Sequence, residues 1–129
     1  MSYGITATVP MPFAEALAAT REALGEQGFG VLTEIDLQAT MKAKLDADIA
    51  PQVILGACRP PLAHAALQAE PSVGLLLPCN VVVRGVDEGT TVVEALDPHV
   101  MVELTGNPHL ADVADEAGRR LTAALGALG

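Results

Sequence analysis

The stretch Gly85-Val86-Asp87-Glu88-Gly89 constrains this chain more than any other. It separates two apolar, β-branched runs, Val81–Arg84 and Thr90–Leu96, and reads as a hairpin turn with glycine at both ends. A parallel connection needs a crossover of about a dozen residues or more, so a turn this short forces an antiparallel pair. The alternative architecture, a doubly wound parallel sheet, must give way at least here.

The remaining segments fit the same picture. Tyr3, Ile5, Ala7 and Val9 alternate with Gly4, Thr6 and Thr8, which predicts a strand with one buried face. Phe13 to Gln27 carries a helical stripe (Phe13, Ala16, Leu17, Ala23, Leu24), with Pro12 before it and Gly28 after it. Phe29 to Ile35 alternates again, and Asp36 is placed to cap a short helix over Leu37–Leu45. A third strand is expected over Gln52–Ala57, and a helix from Pro60 to Glu70, stopped by Pro71. Val73–Leu77 and Val81–Arg84 read together as one long kinked strand, and Asp97-Pro98-His99 as a capped loop. Asn107 and Pro108 open a final helix with the stripe Leu110, Val113, Ala114, Ala117, Leu121, Ala124, Leu125 and Leu128. The sum is an α+β fold in two layers: a five-stranded, largely antiparallel sheet with the long first and last helices on one face. Residues 1–129 are expected to form a single domain.

Composition narrows the function classes. Tyr3, Phe13 and Phe29 are the only aromatic residues, so Val, Leu, Ile and Ala must build the core. Base stacking, which needs aromatic platforms, is a poor expectation. The net charge of −9 repels phosphate backbones and anionic lipid, so neither nucleic acid nor a membrane surface is expected as a partner. The longest apolar stretch, Val73 to Val83, is far short of the ~20 residues that span a bilayer. MSYGITATVPMPF lacks the basic and apolar regions of a signal peptide, which predicts a cytoplasmic chain with free thiols. An open sheet face would favour a homo-oligomer, a dimer in the simplest case.

The chemistry-bearing candidates are Cys58 and Cys79. Cys58 precedes Arg59-Pro60-Pro61 and a helix start, where unpaired N–H groups and Arg59 would favour a thiolate. Cys79 lies between Pro78 and Asn80 in an otherwise apolar run, which marks a bulge, bend or edge. Lying 21 positions apart, the two do not make a CxxC motif. Two thiolates are half a zinc site, with His64 as the nearest third ligand; alone they suit a softer ion such as Cu(I). His99 and Met101 are further soft ligands, and Lys42 and Lys44 could hold an anion. Gly28-Phe29-Gly30 lies between a helix and a strand, the wrong order for a phosphate loop, and no GxSxG, HExxH or Walker pattern occurs. The expected function is a binding module in which Cys58, Cys79, His64 and Asn80 hold a soft metal ion (on Cys58 and Cys79) or a sulfur species. A thiol enzyme or sulfur carrier using Cys58, and a structural or dimerising domain with the cysteines as packing, are the alternatives. No cofactor is indicated.

Val53-Ile54-Leu55-Gly56-Ala57-Cys58, Pro60-Pro61-Leu62-Ala63-His64, Gly74-Leu75-Leu76-Leu77-Pro78-Cys79-Asn80-Val81-Val82-Val83 and Asp97-Pro98 together resemble domain-of-unknown-function family 302. The resemblance runs over essentially the whole chain. Arg59 departs from it, since asparagine is common there. It implies a small α+β domain with a TATA-box-binding-protein-like layout and implies no activity.

Overall fold

The computed structural model describes residues 2–129. Five strands form one sheet in the spatial order β1-β5-β4-β3-β2, every neighbouring pair antiparallel. The strands are β1 (Gly4–Val9), β2 (Gly30–Asp36), β3 (Gln52–Cys58), β4 (Cys79–Asp87) and β5 (Thr90–Leu96). The helices are α1 (Phe13–Glu26), α2 (Leu37–Leu45), α3 (Pro60–Ala69), α4 (His99–Thr105) and α5 (Ala111–Gly126). This is the α+β arrangement expected, with β4–β5 antiparallel as the short hairpin demanded and the other pairs antiparallel as well. The β4–β5 turn is tighter than expected: Asp87 pairs with Thr90, and Val86 falls at a register shift.

The main core lies between the sheet and the pair α1 and α5. Val9, Leu55, Val81, Val83, Val93 and Ala95 meet Ala16 and Leu24 of α1 and Leu121, Ala124 and Leu125 of α5, all buried. The stripe read on α5 is buried as expected at every position except Val113, which is half-buried. α2 is capped by Asp36, whose side chain accepts from the Ala39 amide at 2.9 Å, yet it buries none of its residues.

Three expectations need correction. Pro71–Leu76 is a 3-10 helix, not the first half of a strand, and β4 begins only at Cys79. Its apolar residues follow a period of three: Val73 is fully buried, Leu76 packs beside it, and Leu75 between them is 89% exposed. Asp97-Pro98-His99 starts a helix, α4, rather than a loop, because the Asp97 carboxylate accepts from the His99 amide at 3.0 Å. The alternation in β2 breaks at a bulge between Val31 and Thr33, so that Thr33 and Ile35 leave the face that Val31 shares with Ala57, and Ile35 is 46% exposed.

The 3-10 helix, α3 and α4 meet the start of α5 around a second small core of Ala66, Val73, Met101 and Leu110. The seam between this cluster and the main core holds the site described next.

Candidate functional site

β3 and β4 pair so that Ala57 faces Cys79, which brings Cys58 and Cys79 to the same end of the sheet. Both line one cavity in the seam. Ala57, Cys58 and Arg59 supply its wall from the end of β3, and Leu62, Ala63 and Ala66 from α3. Leu77 and Cys79 enter from the start of β4, with Leu77–Pro78 a cis peptide. Met101 of α4 and Val113 and Ala117 of α5 close the far side, and Phe29 the edge. The cavity offers about 20 Å³ to the centre of a water-sized guest. One such guest needs roughly 10–15 Å³, so there is room for one atom-sized occupant and not for an organic molecule, which takes roughly 300–1,000 Å³.

The two thiols differ. Cys79 is buried, and burial, helped by the nearby Cys58, pushes its pKa up to about 11. It is a protonated thiol at neutral pH. Cys58 is only partly buried and can be reached from outside. Met101, named from the sequence as a soft ligand, is buried and borders the same cavity.

The helix start near Cys58 is not the anion site that was expected. Pro60 and Pro61 carry no N–H, and the amides of Leu62 and Ala63 both donate to the Arg59 carbonyl at 3.0 Å. What remains is Arg59 itself. Its Nε is the one buried side-chain nitrogen or oxygen among the described residues that lacks a hydrogen-bond partner. The Arg59 side chain runs against Gly28, whose φ of +83° places it in the left-handed region.

His64 and Asn80 lie elsewhere. A helix turns by about 100° per residue, so with Leu62, Ala63 and Ala66 facing the cavity, His64 stands exposed on the other side of α3. Successive strand residues point to opposite faces, so Asn80 sits exposed on the open sheet face, in a groove with Tyr3, Val82 and Glu94. Among the described residues no three His, Cys, Asp or Glu side chains are grouped to hold a metal ion. Lys42 pairs with Asp46 at 2.8 Å and Asp48 at 3.2 Å.

Sequence reasoning missed a second cluster. His99 places Nδ1 2.8 Å from Asp97 and Nε2 2.7 Å from Asp115 of α5, with its ring over Gly118. The hydrogen bonds to Asp115 and then Asp97 raise the pKa of His99. Both ring nitrogens are engaged, so the histidine ties α4 to α5 rather than offering a free base. Aspartate followed by proline before an apolar run was the available signal for the helix start; nothing local points to Asp115, 16 residues on.

No helix among the described residues is long and apolar enough to cross a membrane. Comparison with curated proteins finds no match. Among solved structures, the crystal structure of an uncharacterized conserved DUF302 protein from Bacillus stearothermophilus is similar over 100% of both chains, at 30% identity and a TM-score of 0.91. The profile of the domain of unknown function DUF302 matches residues 5–128, so the chain belongs to the DUF302 family.

Proposed function

We propose that this domain is a binding module whose cavity between Cys58 and Cys79 holds one small, soft species, either a single soft metal ion or a single sulfur atom. The observation that carries this reading is the shared cavity: Cys58, Cys79 and Met101 are all among the residues that border a space admitting one atom-sized guest. Sulfur ligands select soft partners, and the apolar remainder of the wall disfavours a hydrated one. A thiol enzyme is less well supported, because His64, the obvious base, stands away from the cavity.

The test is titration of the reduced protein with Cu(I) and, separately, with inorganic polysulfide, followed by native mass spectrometry. The expected result is one equivalent of one of these species per chain, lost in C58A/C79A. Binding by the double variant as strong as by the wild type overturns the proposal.

A further inference from the structure

The sign of charge at Arg59 decides between the two kinds of guest. A guanidinium is protonated at every accessible pH and carries only donors. Here its Nε is buried with no acceptor, an arrangement that is destabilising unless something supplies one. Arg59 also forms part of the cavity wall and follows Cys58 directly in the chain. A metal cation in this space would be repelled by Arg59 and would have to displace the proton of the buried Cys79 thiol. A small anion attached to Cys58 meets neither obstacle.

We infer that Cys58 carries a single sulfane sulfur as a persulfide, with Arg59 as the residue that holds the terminal sulfur anion and Cys79 as a neutral thiol beside it. This rests on the binding reading above and names its guest. Loading takes the sulfur from a low-molecular-weight persulfide, RS–SH. The Cys58 thiol gives its proton to water, and its sulfur attacks the outer sulfur of the donor. The Cys58 S–S bond forms as the donor S–S bond breaks. RS⁻ leaves with that electron pair and takes up a proton, so that Cys58–SH and RS–SH become Cys58–S–SH and RSH. The sulfane sulfur keeps its oxidation state, so no oxidant or reductant is consumed. A perthiol is a stronger acid than a thiol because the charge spreads over two sulfurs, so the product is an anion at neutral pH and accepts from the guanidinium. The size agrees: only the transferred atom needs to enter the cavity, and Cys58 is exposed enough for the donor's R group to stay outside.

The experiment uses glutathione persulfide as donor, removal of excess donor, trapping with an alkylating reagent and peptide mass mapping. The expected result is one added sulfur on Cys58 in the wild type and in C79A, and none in C58A. In R59M the adduct is expected to be lost about tenfold faster, as one charge-assisted hydrogen bond would require, with R59K in between. Circular dichroism melts establish that each variant folds; R59K serves if R59M does not. An adduct on Cys79 instead, or equal lifetimes in folded wild type, R59K and R59M, overturns the assignment. Stoichiometric Cu(I) uptake dependent on both cysteines, without any Cys58 adduct, overturns it too while leaving the broader binding reading standing. Failure of both guests removes both.

Discussion

At the scale of single residues, Arg59 and Gly28 form one device. Gly28 ends α1 with φ +83°, a conformation that L side chains rarely adopt. A Cβ built there would lie 2.9 Å from Arg59 Nε, so the glycine also clears the path along which the arginine reaches the cavity wall. Gly28→Ala is therefore expected to destabilise the domain by about 1–3 kcal/mol, read from urea unfolding. Part of that cost is steric contact with Arg59, so Gly28→Ala in an R59M background is expected to cost less. Equal costs in both backgrounds would assign the whole effect to backbone strain. The sequence showed Gly28 as a helix stop and Arg59 as a local charge. Their contact was illegible, because it joins the end of α1 to the end of β3 across thirty-one positions of chain. The two cysteines were legible as the place to look, since one precedes a proline-started helix and the other follows a proline within an apolar run. His64 and Asn80 were drawn in by nearness in sequence, which neither a helix nor a strand preserves in space.

Among the elements, α4 and α5 are joined by charge as well as packing. His99 lies between Asp97 before α4 and Asp115 on α5, with Arg119 of α5 and the apolar Ile5 of β1 in the same groove. The two carboxylates raise the histidine's pKa above its unfolded value of about 6.5. A raised pKa means that the folded state binds the proton more tightly, so this stabilisation is complete below about pH 6.5 and is lost as pH rises through the folded value. Burial works against the proton, and the Arg119 guanidinium in the groove is paired with Glu116 at 2.6 Å. The histidine is 47% exposed, so the effect is modest. Thermal melts across neutral to mildly alkaline pH are expected to show the wild-type midpoint falling relative to that of H99Q. A difference between the two that stays constant with pH would rule the clamp out. The same seam explains the clearest misreading of the fold. Val73, Leu76 and Leu77 make an apolar run that alternation cannot separate from a strand. They form a 3-10 turn and its exit because a second small core, built by α3 and α4 from distant parts of the chain, is there to receive them. The long helices α1 and α5 were legible because each packs one continuous stripe against one large partner surface.

For the molecule as a whole, charge and fold act independently. The antiparallel β4–β5 pair follows from its short turn and the buried faces from strand patterning, neither of which involves the net charge of −9. That charge must nevertheless be folded into a small volume, where acidic groups repel one another. Opposing this are pairs such as Arg21–Glu34, Arg84–Glu94 at 3.0 Å and Arg120–Glu116 at 2.8 Å. All are at least partly exposed, and such pairs contribute roughly 0–1 kcal/mol each. Salt weakens both effects, but 16 acidic residues against 7 basic ones leave repulsion the larger. Sodium chloride is therefore expected to raise the melting midpoint. Most of the rise should come below about 0.1 M, where the screening length shortens to about 10 Å, with little further gain above it. A midpoint that falls with salt would mean that the specific pairs outweigh the general repulsion. In that case Arg84→Gln, which breaks the pair on the open sheet face, should abolish a measurable share of the salt dependence.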